Sequence, residues 1–283
     1  MLLFLVTHKL VKTKLIFGKV RYKNMYTSFT LPITRSGKSQ LVPPPPWIYA
    51  VEGIGVKVYF EPNKLRELVP PPLEIVEGEG FVYIAKVYNA SANRWEMLYE
   101  DPEATKYMEA NVALKVKYNG NIYTYYPFMY VDKDLPLIRG FILGHPKKFA
   151  FISMSEFHKL LEGYNGPAPG VKMGGYALRN GKEIVRIKIT LKEKVSQASI
   201  HFGPNVQFRR FPAIQEGTDV YELIQFVSSD FKYGEIWKGD GELKLNESVN
   251  DELGLLEISK IEGGYYFSWS FKLLGIKVLT KIV

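Results

Sequence analysis

Cysteine is absent from this chain of 283 residues, and histidine is rare. Without cysteine there can be no disulfide, no thiolate nucleophile and no zinc site built on cysteine. The four histidines are scattered, and no two of them stand at the spacing of paired metal ligands on one helix or strand; they are His8, His145, His158 and His201. We therefore expect no metal site.

Long uncharged apolar runs are also missing. The runs Leu2 to Val6 and Leu15 to Phe17 are too short to span a membrane. No basic residue precedes the first run, as it would in a signal peptide. We expect a cytoplasmic protein with no membrane partner. Met25 is an alternative start, and we predict an N-terminal extension over residues 1–40 followed by one domain over residues 41–283.

Motifs for phosphate and nucleotide binding are missing as well. Gly53-Ile-Gly55 and Gly78-Glu-Gly80 lack the third glycine and the following helix of a dinucleotide loop. The net charge is +8, but the lysines are spread along the whole chain rather than gathered in a patch. We therefore expect no cofactor and no nucleic-acid partner.

The commonest pattern in the sequence is alternation of apolar and polar residues, which is typical of half-buried strands. Val112 to Tyr118 alternate in this way, Asn119-Gly120 is a strong hairpin turn, and Ile122 to Val131 return as an aromatic strand. A second hairpin turn at Asn180-Gly181 precedes the alternating stretch Val185 to Leu191. Further strands are predicted at Val56–Phe60, Phe81–Tyr88, Val206–Phe211, Gly234–Leu245 and Gly264–Phe271.

Helices are predicted to be few and short. Pro62 to Leu68 form one, and a capping pattern of Ser153 with Glu156 predicts another that ends at Gly163. The expected class is β-rich α+β, with one closed or nearly closed antiparallel sheet and a few short outer helices.

A pair of lysines opens an apolar run in the stretch "GHPKKFAFISM". A lysine is a nucleophile only when its amine is neutral, and burial or a nearby cation lowers its pKa toward that state. On a strand, Lys147 shares a face with Phe149 and Phe151, while Lys148 points the other way. We expect desolvation by these phenylalanines to lower the pKa of Lys147 more than repulsion from Lys148. A solvated lysine pair at a strand end is the alternative.

Several stretches, in order, resemble the acetoacetate decarboxylase family over roughly residues 40 to 255. "GHPKKFA" resembles the family's Gly-x-Pro-Lys-Lys signature around its Schiff-base lysine. The other similar stretches are "LRELVPPPLEI", "YMEANVALKVKYNGNIYTYYPFMYVD", "GPNVQFRRFP" and "GEIWKGDGELKL".

The resemblance implies a β cone or barrel around an apolar pocket, a homo-oligomer and no cofactor. It implies that Lys147 forms an imine with the ketone of a small β-keto acid, with Lys148 beside it and Glu109 in the catalytic region. Glu109 has the strand parity of Lys115, so either a bulge near Asn111 resets the alternation or the face of Glu109 lines the pocket.

The remaining site candidates surround the lysine pair. His145 is either a general acid or base near the imine or a polar loop residue before a proline. We expect four residues to contact the substrate: Phe149, Phe151, Tyr83 and Met129.

Two departures from the family keep the reaction open. The sequence has no arginine around "WIYAVEGIGVKVYF", where the decarboxylases place one suited to a substrate carboxylate. Tyr83 also stands where a second glutamate is expected. The first hypothesis is decarboxylation of acetoacetate or a related β-keto acid. The alternatives are a Schiff-base aldolase-dehydratase on a larger keto acid and a non-catalytic small-molecule binding barrel.

Overall fold

The computed structural model describes residues 27–196, 200 and 202–282. Its helices are short, and several of its strands are long. The elements in chain order are β1 (Trp47–Phe60), α1 (Pro62–Leu65), β2 (Glu74–Ser91), α2 (Met97–Glu100), β3 (Lys106–Tyr118), β4 (Asn121–Val131), α3 (Asp134–Ile142), β5 (Lys147–Phe149), β6 (Phe151–Met154), β7 (Lys172–Arg179), β8 (Lys182–Val195), β9 (Asn205–Phe211), β10 (Val220–Leu245), a 3-10 turn (Leu253–Leu255) and β11 (Ile258–Lys281).

The strands form one sheet that closes on itself. The ring runs β11-β1-β2-β3-β4-β9-β10 and returns to β11, because the long strand β10 pairs with β9, β8 and β11. Strands β8, β7 and β6 extend from β10 as a separate flap of sheet. All pairings are antiparallel except those of β4 with β5 and with β9. The predicted β-rich barrel with short outer helices is confirmed.

The turns that close the hairpins have the backbone geometry that their sequences predict. Asn119 and Gly120 have φ values of 47° and 79°, and Asn180 and Gly181 have values of 50° and 78°. Positive φ at both central positions gives the twist that antiparallel strands need, and asparagine and glycine tolerate it best. These two turns therefore set the registers of the β3–β4 and β7–β8 hairpins.

The predicted helix from Ser153 to Gly163 is wrong. Ser153 belongs to β6 and pairs with Tyr176 of β7, and the following residues form turns. Glu156, the expected capping residue, instead accepts a hydrogen bond of 2.6 Å from Lys86. Pairing of Ser153 with β7 thus prevails over the local capping pattern. Helix α3, at Asp134–Ile142, lies where the sequence analysis predicted no helix.

Two cores lie on opposite faces of the ring. The outer core is aliphatic and fills the space between the ring and the flap; its members include Ile54, Val56, Val82, Ile84, Val112, Leu114, Ile152, Ile187 and Ile189. The inner core is aromatic and surrounds the axis of the ring; its members include Trp47, Tyr49, Phe81, Tyr83, Tyr107, Phe226, Tyr265 and Phe267. Alternation along each strand sends neighbouring residues to different cores.

The segment before β1 is irregular but attached. Residues 27–46 contain turns and bends, and Val42 within them is fully buried. The extension over residues 1–40 stays a prediction, and the alternative start at Met25 lies outside the described residues. None of the helices in the described part of the chain is long and apolar enough to cross a membrane.

Candidate active site

A cavity of about 340 Å³ lies inside the ring, within the aromatic inner core. Strands of the ring, helix α3 and the turn before β5 contribute its walls. The polar and charged side chains among the lining residues are Tyr49, Tyr83, Tyr107, Glu109, Thr124, Tyr126, Arg139, His145, Lys147, Asn205, Gln225, Ser228 and Tyr233. Such a mixture of an aromatic wall with a few polar groups is typical of a small-molecule site.

Lys147 reaches into this cavity from the short strand β5. Its Cα pairs in parallel register with that of Met129 on β4, and only 6% of its side chain is exposed. Its Nζ lies 3.5 Å from Glu109 Oε2 and 5.4 Å from the centre of the Tyr107 ring. The methylene stem crosses Gly140 of α3, where an added Cβ would stand 2.5 Å from Lys147 Cδ. The side chain of Lys147 therefore runs from β5 past Gly140 of α3 and reaches the cavity.

The environment of Lys147 favours the neutral amine. Burial lowers its pKa to about 8; Glu109 opposes this shift and the positive charge of Arg139 adds to it. Burial is the largest of these causes, and the cation among them is Arg139 rather than the expected Lys148.

Lys148 points to the opposite face and does not line the cavity. Its Nζ donates 2.9 Å to Asp251 Oδ1 and also bonds the carbonyl of Asn250. The side chain of Asp251 is completely buried, and it also accepts bonds from Arg179, Tyr130 and Ser248. The structure therefore separates the predicted lysine pair, because adjacent residues on a strand leave on opposite faces.

Glu109 lies on the cavity face of β3. Strand β3 keeps an unbroken register with β2 from Lys106 to Leu114, so no bulge near Asn111 resets the alternation on that side. The second alternative is therefore the correct one: the odd-numbered face, which carries Glu109, lines the pocket. Glu109 Oε1 accepts a bond of 3.4 Å from the Tyr83 hydroxyl, whose oxygen accepts 2.7 Å from Asn111 Nδ2.

Tyr83 and Met129 line the cavity, whereas Phe149 and Phe151 do not. Both phenylalanines are 58% exposed. Strands β5 and β6 each pair with only one neighbour, and the chain between them departs from a regular strand, so the expected shared face with Lys147 does not reach the interior. The prediction that these rings bury the amine is wrong. The ring of Tyr107 and the backbone of Gly140 cover it instead.

Arg139 is the functional candidate that the sequence analysis missed. It is 2% exposed and lies in α3, and its guanidinium carbon is 5.1 Å from the centre of the Tyr49 ring and 5.9 Å from that of Tyr107. Nη1 bonds the side chain of Asn89, but Nη2 is buried without a hydrogen-bond partner. An unpaired buried guanidinium nitrogen is costly unless an anion satisfies it.

A signal for Arg139 was present in the sequence. It is the only charge in the apolar run "LPLIRGFIL", and it stands eight residues before Lys147. A lone cation inside an apolar helix is either paired or functional. The run marks Arg139 as a candidate, but only the tertiary structure places it at the cavity.

His145 lies in the turn before β5 and contacts two rings of the cavity wall. Its ring stacks on Phe226 at 4.5 Å, and its Nδ1 is buried without a hydrogen-bond partner. Burial, and after it the charges of Lys147 and Arg139, lower the pKa of His145 well below its usual value. The imidazole is therefore neutral near pH 7 and can accept or donate one proton toward the cavity.

Two of the histidines considered for metal binding, His8 and His201, lie outside the described residues. Within the described part of the chain, no three histidine, aspartate or glutamate side chains gather as a metal site would require.

The hydroxyl of Tyr83 stays protonated. Burial raises its pKa well above the usual value, and Tyr126 and then Glu109 add to this effect.

These groups suit chemistry on a carbonyl compound that carries a carboxylate. A desolvated amine can attack a ketone carbon, a carboxylate 3.5 Å away can move protons, and a buried arginine with an open nitrogen can hold an anion. The fold and the site therefore define a barrel with a buried lysine amine in an aromatic cavity.

Comparison with known proteins places the chain in a family. The sequence model of the acetoacetate decarboxylase family matches residues 30–283, so the chain belongs to this family of enzymes. The acetoacetate decarboxylase of Burkholderia ambifaria (strain MC40-6) is 25% identical over 223 residues, which are 77% of this chain and 80% of that protein.

Two solved structures are similar over most of their length. The enduracididine biosynthesis enzyme MppR, complexed with the condensation product of pyruvate and imidazole 4-carboxaldehyde, has a TM-score of 0.83 and 26% identity, covering 90% of this chain and 97% of its own. An acetoacetate decarboxylase-like enzyme from Sphingomonas wittichii RW1 has a TM-score of 0.86 and covers 90% of this chain and 100% of its own; its identity of 23% supports the fold alone.

Proposed function

We propose that this protein is a lyase that forms an imine between Lys147 and the ketone of a small β-keto acid and then releases carbon dioxide. The observation that carries the proposal is a buried amine, with a pKa of about 8, in one cavity with a buried arginine whose Nη2 has no partner. The family supports the same chemistry.

The lowered pKa makes the amine reactive at neutral pH. With a pKa of about 8, roughly a tenth of the lysine is neutral at pH 7, against well under 1% at the usual value. The neutral Nζ attacks the ketone carbon, and the carbinolamine loses water to give an iminium. Glu109 accepts and returns the protons of these steps, since its Oε2 lies 3.5 Å from the amine.

Arg139 orients the substrate through its carboxylate. Its Nη2 supplies the missing donor, and a carboxylate bound there becomes paired rather than repelled inside the barrel. In this proposal Arg139 takes the role of the arginine that the sequence lacks near β1, although it comes from a different element.

Carbon dioxide leaves when the bond between its carbon and the α-carbon breaks. The electron pair of that bond becomes the carbon–carbon double bond of an enamine while the π pair of the C=N bond moves onto nitrogen, and the α-carbon then takes up a proton. Glu109 and neutral His145 are the candidate proton donors and acceptors at this stage, with the Tyr83 hydroxyl holding Glu109 in place. Water finally hydrolyses the iminium, which frees the ketone and the amine of Lys147.

An aldol-type reaction is the second candidate, because the same amine and the same arginine line the cavity that it would use. In an aldolase the carboxylate stays, and the enamine of the bound keto acid attacks an aldehyde. The similarity to MppR, a protein solved with a pyruvate condensation product, supports this alternative.

Borohydride trapping tests the common step. The protein is incubated with acetoacetate or with pyruvate, reduced and mapped by peptide mass, and carbon dioxide release is followed in parallel. We expect an adduct on Lys147 in the natural protein and in Lys148→Gln, the matched control, but none in Lys147→Gln. The mass of the acetoacetate adduct shows whether the carboxylate was lost before reduction, which separates decarboxylase from aldolase.

Failure to trap any keto acid on Lys147 in folded protein would overturn the proposal in favour of the non-catalytic binding barrel. The role of Arg139 has its own test. Arg139→Gln is expected to weaken binding of a ketone-free carboxylate by about tenfold or more, whereas the exposed Arg210→Gln is expected to leave that affinity unchanged.

The predicted homo-oligomer, the cytoplasmic location and the lack of a nucleic-acid partner stay predictions. Light scattering of the purified protein would measure the number of subunits. Titration with oligonucleotides over a range of salt would test for nucleic-acid binding, because phosphate contacts weaken steeply as salt rises.

A further inference from the structure

The solvent-facing end of the cavity is bounded by aromatic side chains. We name Phe231, Tyr233, Trp269 and Phe271 the aromatic rim. Phe231 is 47% exposed, so this end of the cavity meets solvent. Among the described residues that line the cavity, the acidic and basic side chains are Glu109, Arg139 and Lys147, and none of them belongs to the rim.

The rings of the rim continue inward as a stack. Phe231 lies 6.4 Å from Tyr233 and 5.6 Å from Phe271, with interplanar angles of 14° and 17°. Phe271 in turn stacks on Tyr49 at 4.8 Å and 7°, and Tyr49 contacts the guanidinium of Arg139. Near-parallel rings thus extend from the open end to the group that we propose holds the carboxylate.

Trp269 forms a second part of this wall. Its ring stacks on the fully buried Phe267 at 4.4 Å and 13°, while Trp269 itself is half-buried and lines the cavity. The neighbouring odd-numbered residues of β11 face the same side, because side chains alternate along a strand. Trp269 therefore adds a further aromatic ring to the wall of the cavity.

The cavity is large for the smallest keto acids. Its volume of about 340 Å³ lies within the range of roughly 300 to 1,000 Å³ that is typical of pockets for drug-sized ligands. Acetoacetate would occupy the charged inner end and would not extend to the aromatic rim.

We infer that the substrate is a keto acid whose far end is a planar aromatic group, and that Trp269 and Phe231 bind this group. The inference rests on the proposed function for the carboxylate and the ketone. An aromatic group gains offset-stacked or edge-to-face contacts with these rings, which a saturated group of equal size cannot reproduce. The absence of acidic and basic side chains from the rim fits a neutral ring.

Ligands without a ketone test the rim separately from the chemistry. Affinities of 4-phenylbutanoate and 4-cyclohexylbutanoate are compared, since the two differ in the planarity of the ring and share the carboxylate. We expect the phenyl compound to bind about threefold to tenfold more tightly, the range that a stacked pair contributes. Equal affinities would overturn the inference.

Substitutions locate the preference. Trp269→Leu and Phe231→Leu are expected to abolish it, whereas Trp95→Leu, at an exposed tryptophan that does not line the cavity, is the matched control. Phe231 is already half exposed, so its variant keeps the result interpretable if Trp269→Leu fails to fold. A preference that survives both changes would overturn the inference, as would variants that alter only the oligomeric state, since the rim would then be a contact between copies.

Keto acids separate this inference from the proposed function. Trapping of Lys147 by 3-oxo-5-phenylpentanoate is expected to saturate at a lower concentration than trapping by acetoacetate, and Trp269→Leu to reduce the difference. An acetoacetate adduct without any aromatic preference would leave the proposed function standing and overturn the inference. If ligand binding shows the aromatic preference but no keto acid gives an adduct, the proposed function is overturned and the aromatic rim remains a binding site.

Discussion

Strands β2 and β3 present two different interiors on their two faces. One face packs against the flap with aliphatic side chains and leaves little space; it carries Val82, Ile84, Val112, Leu114 and Val116. The other face surrounds the cavity with aromatic and polar side chains; it carries Phe81, Tyr83, Tyr107, Glu109 and Asn111. The first face supplies the stability that lets the second hold groups whose burial is unfavourable.

Two lysines that are neighbours in sequence each lie beside a carboxylate: the side chain of Lys147 is 6% exposed and that of Lys148 is 35% exposed. Asp251 receives hydrogen bonds from Lys148, Arg179, Tyr130 and Ser248, so its charge is fully compensated. Lys147 has one carboxylate at 3.5 Å and the positive charge of Arg139 nearby. The same residue type is therefore held as a paired cation at Lys148, whereas burial and Arg139 favour the neutral amine at Lys147.

The largest expected effect is on the packed side. Asp251→Ala removes a buried carboxylate and leaves Lys148 and Arg179 without their shared partner, which is expected to cost about 3–5 kcal/mol of unfolding free energy in a denaturant titration. Asp240→Ala is the control, because Asp240 forms an exposed pair with Lys192 that contributes about 1 kcal/mol or less. Equal losses in the two variants would contradict this account.

The pH dependence of the unfolding free energy also tests the role of Asp251. Burial alone would raise the pKa of Asp251, but hydrogen bonds from Ser248, Lys148 and Tyr130 outweigh burial and hold that pKa below its usual value. A lowered folded-state pKa stabilises the protein above the unfolded value of about 3.9, and this contribution is lost as pH falls toward the folded value. The Asp251→Ala variant is expected to lack this part of the acid sensitivity.

The next effect concerns the path of Lys147. In Gly140→Ala the new Cβ would stand 2.5 Å from Lys147 Cδ, so the lysine stem must move away from its position in the cavity. Displacing a reacting group by about 1 Å can cost on the order of a hundredfold in rate, and we expect a loss of about tenfold to a hundredfold in borohydride trapping. Gly166→Ala is the control, because its added Cβ meets nothing within 4 Å.

A smaller effect is expected on the titration of Lys147. Glu109 raises the pKa of this lysine against the effect of burial, so Glu109→Gln should move it below about 8, by on the order of one unit. The pH dependence of Lys147 acetylation, read by peptide mass, measures the midpoint. Glu79→Gln, which removes the partner of Lys57 and Lys115 instead, should leave it unchanged. An upward shift in Glu109→Gln would show that the carboxylate does not stabilise the ammonium.

The smallest effect distinguishes the two sources of burial. Phe149 and Phe151 are 58% exposed, so replacing either by alanine should leave the acetylation midpoint of Lys147 within a few tenths of a unit. Tyr107→Leu, which removes the ring 5.4 Å from Nζ, should move the midpoint by more. A larger shift from the phenylalanines would restore the original prediction.

Much of the site could be predicted from short patterns, and the reason differs from residue to residue. The hairpin turns at Asn119-Gly120 and Asn180-Gly181 are local, since two residues with positive φ determine each of them. The opposed directions of Lys147 and Lys148 follow from alternation alone. The helix predicted from Ser153 does not form, because Ser153 pairs with a strand that begins 19 residues later, at Lys172.

Arg139 and the two phenylalanines needed the tertiary structure. Nothing local indicates that α3 lies across the end of the ring and brings Arg139 to the inner core, or that β5 and β6 lie at positions where one side of the strand meets solvent. The alternation of β3 allowed two positions for Glu109, and only the pairing of β3 with β2 decided between them.

The sequence by itself determined the strands, their turns and the lysine that carries the proposed chemistry, because these depend on residues close together in the chain. The tertiary structure decided which face of each strand encloses the cavity, which cation accompanies Lys147 and what covers its amine. Those outcomes depend on contacts between distant segments, and burial, which controls the pKa of the lysine, is a property of the closed ring.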